Sequence, residues 1–367
     1  MSHIKVAYMF GQLNRGGAET LVLDVCAHSA VLPFTPMLIH RNGGVLGTDF
    51  ARTEVQMYKL SPRRGKYISY ILALRHLLLR NNVTVVHAQQ SLDGVFAKIA
   101  TIGTGIKVVV TFHGFDFREN KLSKCFHWLA LRLCDTACFV SKCQRDYYLE
   151  SYKIQSRRQR TCFIYDGVDF RKLDKLYDAP NDIISNNRVK LVMVGNFMRG
   201  RDQYQICRSL KRVKEQTNNF DFYFVGRRTK GVEYLYDNCI RYIKENDLDE
   251  NVHILGERSD VPAILQQMEG FVYASNCDTF GIAIVEAMAV GLPVVVNDWA
   301  VMKEITNNGE WATIYTTEDI EDCADKIVDL IEHIDTYHAK AQMLKPIVRK
   351  AYSIEQHIEQ LNLMYSR

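Results

Sequence analysis

Residues 270–296 read GFVYASNCDTFGIAIVEAMAVGLPVVV. The apolar run Gly270–Tyr273 predicts a buried strand, and the longer run Gly281–Val290 predicts a helix. Pro293–Val296 then predicts a second strand. Two buried strands joined by a helix form a βαβ unit, in which the strands lie parallel in one sheet. A polar turn separates the first strand from the helix, and ligands of α/β proteins bind at such turns.

The same alternation of strands and helices fills most of the chain around this unit. The other predicted strands are Ile4–Phe10, Pro36–His40, Val55–Leu60, Val83–Ala88, Lys107–Phe112, Thr136–Val140, Thr161–Tyr165, Val189–Val194, Phe220–Val225 and Val252–Leu255. The other predicted helices are Ala18–Ser29, Tyr67–Arg80, Gly94–Ile102, Lys121–Leu133, Gln203–Gln216, Val232–Asn246 and the final segment Tyr337–Tyr365. This pattern predicts an α/β fold of doubly wound parallel sheets with helices on both faces.

Two domains are the natural expectation for 367 residues. A polar, turn-rich stretch, Asp178–Asn187, interrupts the alternation and predicts a linker. We therefore expect an N-terminal domain at 1–178, a linker at 179–188 and a C-terminal domain at 189–345. A last helix at 346–367 would cross back to the first domain. Two such sheets in tandem would hold a ligand in a central cleft, at the carboxyl ends of their strands.

The composition excludes several classes of protein. Apolar residues make up 47% and charged residues 24% of the chain, as in globular proteins. The N-terminus predicts a strand rather than a signal peptide, and no apolar run approaches the ~20 residues of a membrane-spanning helix. None of the ten cysteines forms a C-x-x-C pair, so we expect buried, reduced thiols. A cytoplasmic location is the expectation.

Charge is divided unevenly along the chain. Residues 1–180 hold 25 basic and 14 acidic side chains, whereas the remainder holds 21 basic and 28 acidic ones. A basic first half predicts an anionic partner. Nucleic acid is disfavoured because no basic motif is interleaved with aromatic residues. We therefore expect either an anionic membrane surface, with the protein peripheral on its inner face, or an acceptor that bears phosphate.

Two basic segments of this half support the membrane hypothesis. The first, at 63–66, reads RRGK and precedes the apolar, tyrosine-containing run Tyr67–Leu79. The second, at 157–160, reads RRQR. A basic segment beside apolar residues suits an anionic leaflet. The alternatives are a merely solvated basic face and, for Tyr67–Arg80, an ordinary core helix.

Two carboxylates frame the turn and the helix in the opening stretch. Asp278 stands before the helix, and Glu286 lies inside it, roughly 8 Å further along the axis. Gly281 lets the backbone approach a ligand closely, and the amides of the first helical turn suit a phosphate. This spacing matches a ligand with a sugar at one end and a ribose at the other. The alternative is a helix N-terminus with an incidental acid.

Three loops after other predicted strands carry residues of a similar kind. Residues 194–202 read VGNFMRGRD, and their arginines Arg199 and Arg201 suit a diphosphate by charge and by bidentate hydrogen bonding. Residues 10–19 read FGQLNRGGAE, in which Gly16 and Gly17 let backbone amides approach a phosphate or a sugar. His113 directly follows a buried strand, where ligands bind. A structural histidine is the alternative for His113.

In this order and spacing the motifs resemble those of the family 4 retaining glycosyltransferases, which have the GT-B fold of two Rossmann-like domains. Asp278 and Glu286 match the ends of the E-x7-E signature, with aspartate in place of the first glutamate. The resemblance implies that Asp278 contacts hydroxyls of the donor sugar and that Glu286 binds the nucleotide ribose. Arg201 matches the lysine of the family's G-R-x4-K-G loop. Asn196 stands at its arginine, and Arg199 would supply the missing charge.

The resemblance extends to the other motifs. Gly16-Gly17 with Glu19 matches the loop beside the donor diphosphate, and His113 matches a histidine that reaches the reacting sugar. Asp166 stands where the family usually has asparagine. The catalytic residues that the resemblance implies are His113, Asp278 and Arg201. The donor-binding residues that it implies are Gly16, Gly17, Asn196, Arg199, Arg201, Gly226, Arg227, Gly256, Arg258, Asp278, Thr279, Phe280, Gly281, Ile282 and Glu286.

The expected reaction is transfer of a hexosyl unit from a nucleotide-diphosphate sugar (UDP-sugar favoured, GDP-sugar as the second option) to a glycan or lipid-linked glycan. The resemblance implies retention of configuration and a place in bacterial surface-polysaccharide assembly. No D-x-D motif stands in the loops after the strands, so we expect neither a metal nor another cofactor. The alternatives are a nucleotide-sugar epimerase of the same fold, a non-catalytic sugar-nucleotide binder and a nicotinamide-dependent oxidoreductase. The missing G-x-G-x-x-G disfavours the last.

Overall fold

The computed structural model describes residues 4–117, 119–154 and 160–366, and only the backbone of residues 30 and 160. The basic cluster at 157–160 therefore lies outside the side chains described. Within the described ranges, no helix is both long and apolar enough to cross a bilayer.

The chain forms two compact units. The first comprises Met1–Gly167 together with Ile354–Arg367, and the second comprises Val168–Ser353. Residues 179–188, for which the sequence predicts a linker, lie within the second unit. The side chains of Asn186 and Arg188 hydrogen-bond to the buried carboxylate of Asp221 there. These contacts attach this end of the stretch to the second sheet.

The first unit is built on one parallel sheet. Its strands are β1 (Lys5–Phe10), β2 (Thr35–His40), β3 (Gln56–Lys59), β4 (Val85–Ala88), β5 (Lys107–Phe112), β6 (Thr136–Phe139) and β7 (Arg160–Phe163). Its helices up to this point are α1 (Gly17–Ala27), α2 (Gly47–Ala51), α3 (Tyr67–Arg80), α4 (Ser91–Ala100), α5 (Lys121–Leu133) and α6 (Lys142–Ser151), with a 3-10 turn at Ser29–Val31. The strand order is β3-β2-β1-β4-β5-β6-β7.

Alternating side chains of β1 enter two apolar cores, one on each face of this sheet. Ala7 and Met9 pack with apolar residues of α3, α4 and α5. Val6, Tyr8 and Phe10 pack with residues of α1 on the other face. Helices therefore cover both faces, as the near-continuous apolar strands predict.

The second unit repeats this architecture. Its strands are β8 (Val189–Val194), β9 (Phe220–Val225), β10 (Val252–Gly256), β11 (Gly270–Tyr273), β12 (Val294–Asn297) and β13 (Thr313–Tyr315). Its helices are α7 (Gln203–Gln216), α8 (Tyr234–Glu245), α9 (Val261–Leu265), α10 (Ile282–Val290), α11 (Ala300–Ile305), α12 (Ile320–Glu332) and α13 (Ile334–Tyr352), with a 3-10 turn at Phe170–Lys172. The strand order is β10-β9-β8-β11-β12-β13, all parallel. The predicted α/β fold with two doubly wound sheets is confirmed.

In each sheet the strand order reverses beside the first strand, because later strands are added on its other side. In the first unit β1 pairs with both β2 and β4, and in the second β8 pairs with both β9 and β11. The loops that leave the two strands at such a switch point diverge to opposite faces of the sheet. Ligands of doubly wound proteins bind in the crevice that this divergence leaves at the carboxyl ends of the strands.

The end of the chain differs from the single helical segment predicted at Tyr337–Tyr365. Helix α13 ends at Tyr352, Ser353 is extended, and a separate helix α14 covers Ile354–Ser366. The backbone carbonyl of Tyr352 accepts a hydrogen bond from the amide of Val168, at 2.9 Å. Helix α14 packs into the same core of the first unit as α1. The prediction of one helix is wrong because apolar spacing continues across the break.

Candidate functional site

At the switch point of the second sheet, the loop after β8 is hydrogen-bonded to the loop after β11. The hydroxyl of Ser275 donates to the carbonyl oxygen of Gly200 at 3.1 Å, and the amide of Asn276 donates to the same oxygen at 2.8 Å. Arg201 and Ser275 also pair as an isolated β-bridge. These contacts fix the loop that carries Arg201 against the loop that carries Asp278.

The carboxylate of Asp278 is held from two sides. Its Oδ1 accepts a hydrogen bond from Arg201 Nη2 at 3.3 Å, and its Oδ2 accepts one from the Tyr273 hydroxyl at 2.6 Å. Its backbone amide donates to Ser275 Oγ at 3.1 Å, and its carbonyl oxygen accepts from Trp299 Nε1 at 3.1 Å. Asp278 is thus a fixed group whose neighbours set its orientation.

Arg201 is the counterpart of this carboxylate and is largely buried, with 22% of its side chain exposed. Its Nε and Nη1 have no hydrogen-bond partner among the described residues. Burial disfavours its charged form, yet the neighbouring Tyr273 and Asp278 raise the pKa of Arg201 above its usual value. A Cβ on Gly195 would lie 3.2 Å from Nη1, so the glycine gives the guanidinium room. A fixed, charged guanidinium with unused donors suits a phosphate.

The turn after Asp278 leads into helix α10, whose N-terminus lies at the carboxyl edge of the sheet. Gly281 has φ +94°, a left-handed conformation that favours glycine, and it caps the helix. The preceding Phe280 is buried, and its ring packs edge-on against Tyr352 at 5.5 Å. Thr279, Ile282 and Glu286 are half-buried. Phe280 therefore anchors the turn in the core, while the first amides of α10 remain at the carboxyl edge of the sheet.

Two further loops come together beside it. Asn196 Oδ1 accepts a hydrogen bond from the backbone amide of Arg227 at 3.0 Å, and the amide of Gly226 donates to the carbonyl oxygen of Gly256 at 2.8 Å. A Cβ on Gly226 would lie 2.0 Å from the carbonyl oxygen of Gly195. The two backbones therefore approach as closely as only glycine allows. Asn196, where the family usually has arginine, acts here as an uncharged tether.

The other predicted arginines have different surroundings from Arg201. Arg199 and Arg227 are exposed, and Arg227 lies 3.9 Å from Glu257. The guanidinium of Arg258 is bound by Asp260, at 2.7 and 2.5 Å, and by Asp182. Arg201 is therefore the predicted arginine that combines burial with unused donors. The donor-binding roles of all four arginines stay predictions.

In the first unit, Gly16, Gly17 and His113 lie at the carboxyl edge of the sheet. Gly16 caps α1 and Gly17 is its first residue. His113 Nε2 donates a hydrogen bond to Gln89 Oε1 at 2.7 Å. Burial, with His357 nearby, lowers the pKa of His113 to about 4. His113 is therefore neutral at physiological pH, and it can hydrogen-bond a hydroxyl but adds no positive charge.

His87, in β4, has a purely structural setting. Its Nδ1 hydrogen-bonds to the Tyr365 hydroxyl and its Nε2 to Thr111 Oγ1, each at 2.6 Å. The ring is buried, and burial lowers the pKa of His87 to about 3. Both ring nitrogens are thus used within the core of the first unit.

The structure also adds residues that the sequence did not indicate. Tyr273, Ser275 and Trp299 hold the carboxylate or backbone of Asp278. A signal existed for Tyr273, because it is the last residue of β11 and precedes Asp278 by five positions. In the part of the chain described, no group of three or more His, Cys, Asp or Glu side chains is placed to hold a metal ion.

Comparison with known sequences gives two family matches. Residues 15–172 match the model described as Glycosyltransferase Family 4, and residues 188–333 match the one described as Glycosyl transferases group 1. A relative from Escherichia coli is named UDP-Gal:alpha-D-GlcNAc-diphosphoundecaprenol alpha-1,3-galactosyltransferase. It is 27% identical over 320 residues, which cover 81% of this chain and 80% of the relative.

Solved structures share the fold over the whole chain. A glycosyltransferase from Rickettsia africae aligns with a TM-score of 0.85 and 19% identity, over 100% of this chain and 98% of the other. Anabaena Alr3699/HepE, in complex with UDP and glucose, aligns with a TM-score of 0.83 and 17% identity, over 99% and 100%. At these identities the likeness is one of fold alone.

Proposed function

Because the chain belongs to the family 4 glycosyltransferases and has the GT-B fold, we propose that it moves a hexosyl unit from a UDP-sugar to a hydroxyl of a lipid-linked glycan, with retention of configuration. The observation that carries this proposal is the charged, partly unpaired guanidinium of Arg201, fixed beside Asp278 at the switch point of the second sheet. A diphosphate is the ligand that this arrangement suits best.

The donor occupies the carboxyl edge of the second sheet in this proposal. Arg201 and the first amides of α10 bind the diphosphate, and Glu286 binds the ribose, as the family resemblance implies. Asp278 holds Arg201 in place through its Oδ1 and lies where a sugar hydroxyl would approach. Support for uridine as the base comes from the names of the E. coli relative and the Anabaena complex. A GDP-sugar is the second option.

The reaction proceeds as a displacement on one face of the donor sugar. The acceptor hydroxyl oxygen forms a bond to the anomeric carbon, while the bond from that carbon to the diphosphate oxygen breaks. The hydroxyl proton passes to the departing diphosphate, which thereby acts as the base. Arg201 neutralises the charge that develops on this leaving group, so we propose that no metal ion is required. Neutral His113 would hydrogen-bond a hydroxyl of the reacting sugar.

The acceptor in this proposal is lipid-linked, and the setting is the assembly of bacterial surface polysaccharide. The E. coli relative is named for an acceptor on diphosphoundecaprenol. Helix α3 offers a surface for the membrane that carries such an acceptor. Its inner residues Tyr70, Leu74 and Leu78 are buried in the core, whereas Ile68 and Leu72 are 76% and 59% exposed. Helix α3 thus buries one face in the core and exposes apolar side chains on another.

A donor titration tests the proposed function. UDP-, GDP- and ADP-sugars are added to the protein in EDTA, and thermal unfolding is followed. A UDP-sugar at 100 times its Kd should stabilise the protein by about 2.7 kcal/mol. Glu286→Ala and Arg201→Ala should reduce this gain, whereas Glu332→Ala, at an exposed helix end, should not. Stabilisation that appears only when Mg²⁺ replaces EDTA would contradict a metal-independent site, and no stabilisation by any nucleotide sugar would overturn the proposal.

Vesicle flotation tests the membrane contact. The intact protein should bind vesicles that contain phosphatidylglycerol at low salt, and added salt should weaken the binding because exposed cations at 63–66 attract the anionic surface. Ile68→Ser with Leu72→Ser should lower the affinity by about tenfold or more, since both side chains would enter the interface. Val31→Ser is the matched control, because Val31 is equally exposed at a 3-10 turn outside α3. Absence of binding to anionic vesicles at low salt would remove this part of the proposal.

A further inference from the structure

A buried ion pair crosses the switch point of the first sheet, and the donor site proposed above does not use it. Arg41 directly follows β2, whereas Asp93 lies in the first turn of α4, after β4. Arg41 Nε donates to Asp93 Oδ1 at 2.8 Å, and Nη2 donates to Oδ2 at 3.4 Å. Strand β1 lies between β2 and β4, so the guanidinium spans the carboxyl end of β1.

The surroundings of this guanidinium keep it in one orientation. Asp93 is fully buried, and 19% of the Arg41 side chain is exposed. Gln90 Oε1 accepts a further hydrogen bond from Nη2 at 3.2 Å. A Cβ on Gly11, the first residue after β1, would lie 2.7 Å from Nη2 and 2.6 Å from Gln90 Oε1. The backbone thus makes room for the arginine, and a buried carboxylate fixes it.

One edge of the guanidinium remains unused. Nη1 of Arg41 has no hydrogen-bond partner in the described part of the chain, and it is not buried. An arginine whose Nε and Nη2 are fixed by a carboxylate presents Nη1 at a set position. Such a pre-oriented donor loses little entropy when it binds an oxyanion.

All charged side chains in the loops around Arg41 are basic. Residues 11–16, 41–46 and 60–66, which follow β1, β2 and β3, contain five cationic side chains and no acidic one. The members of this cationic edge are Arg15, Arg41, Arg63, Arg64 and Lys66. The loop after β3 touches Arg41 directly, because the Ser61 hydroxyl donates to the Arg41 carbonyl oxygen. Apart from Arg41, these cations are exposed and form no ion pair with any described residue.

We propose that this cationic edge binds the phosphate or diphosphate group of the acceptor, with Arg41 as its fixed centre. The inference rests on the proposed function, in which the donor diphosphate is bound by Arg201 in the second unit. A phosphate or diphosphate that binds the first unit while the donor site is occupied would therefore belong to the acceptor. A pre-oriented guanidinium among exposed cations fits that chemistry by charge and by directed hydrogen bonds.

Pyrophosphate binding by calorimetry, at saturating UDP to occupy the donor site, tests the proposal. Arg41→Lys keeps the charge beside Asp93 but removes the Nη1 donor, so it should weaken pyrophosphate binding about tenfold. The paired change Arg41→Gln with Asp93→Asn avoids an unpaired buried carboxylate and should weaken it at least as much. Arg80→Gln is the control, because Arg80 ends α3 at the opposite edge of the sheet. Unchanged pyrophosphate affinity in both Arg41 variants, or no binding by the unaltered protein, would overturn the proposal.

Two further comparisons separate the possible outcomes. An isoprenyl diphosphate in detergent micelles should bind more tightly than pyrophosphate if the phosphorylated acceptor is lipid-linked. Equal affinities, both lost with Arg41, would support the site with a water-soluble phosphorylated acceptor. The affinity for UDP is measured in every variant and should not change. A protein that fails to bind UDP yet loses pyrophosphate binding in Arg41→Lys would contradict the proposed function while leaving the cationic edge supported.

Discussion

Arg201→Ala should lower kcat/KM for the UDP-sugar roughly 100- to 1,000-fold, as expected for the loss of one fixed donor to a developing charge. Arg201 is held by Asp278 at 3.3 Å, and two of its nitrogens are unpaired among the described residues. The charge on the leaving diphosphate grows as its bond to the sugar breaks. The loss should therefore fall mainly on kcat rather than on KM.

Steady-state kinetics with two control variants isolate this effect. Arg208→Ala removes an exposed arginine of α7, outside the loop that carries Arg201, and should change kcat/KM by no more than several-fold. Arg201→Lys keeps the charge but loses the planar set of guanidinium N–H donors. Its rate should lie between those of the alanine variant and the unaltered protein. A thermal scan checks that Arg201→Ala still folds. A folded Arg201→Ala variant with unaltered kcat/KM would refute the role of Arg201 in catalysis.

Relative to the unaltered protein, Asp166→Asn should gain stability as the pH rises from about 4 to about 7, and the gain should be constant above that range. Asp166 follows β7, is buried, and its Oδ1 has no hydrogen-bond partner in the described ranges. Burial raises the pKa of Asp166 to about 7, from 3.8. Between these values the folded state binds more protons than the unfolded state, so rising pH destabilises the unaltered protein through this group.

The size of this effect follows from the pKa difference. At about 1.4 kcal/mol per pKa unit, the advantage of Asp166→Asn should increase by about 3 kcal/mol between pH 5 and pH 8. Urea denaturation of both proteins at the two pH values measures it. Asp49→Asn is the control, because Asp49 is a half-buried surface residue paired with Arg52. A difference between Asp166→Asn and the unaltered protein that stays constant with pH would show that Asp166 does not titrate in this range.

The strands and the long helices were predictable because burial on both faces leaves apolar runs with distinct ends. Tyr67–Arg80 and Gln203–Gln216 have the predicted bounds. Helix α6 was not predicted because its sequence, KCQRDYYLES, is too polar to show an apolar stripe. Strand β13 and helix α12 were not predicted either. Strand β13 has only three residues, so the sequence shows no clear strand before α12. Pro346 lies inside α13, so the residue most expected to end a helix does not mark the break at Ser353.

The part of the candidate site that depends on the strand order could be predicted from the sequence. The strand order brings the loops after β8 and β11 together, and it is this order that places Arg201 beside Asp278. The Tyr273 hydroxyl on Asp278 depends on the conformation of the intervening turn, which no local pattern encodes. Likewise, Arg41 and Asp93 are 52 positions apart, and their pairing follows only from the packing of α4 against the sheet.

Helix α14 also determines when the first unit can fold during synthesis. Its Tyr365 hydroxyl lies 2.6 Å from His87 Nδ1 and 3.1 Å from the Tyr8 hydroxyl, in the core of the first sheet. That core therefore stays incomplete until helix α14 has left the ribosome. The second unit, Val168–Ser353, has all of its strands in one continuous stretch and can form earlier. In this protein the N-terminal half is synthesised first but is completed last.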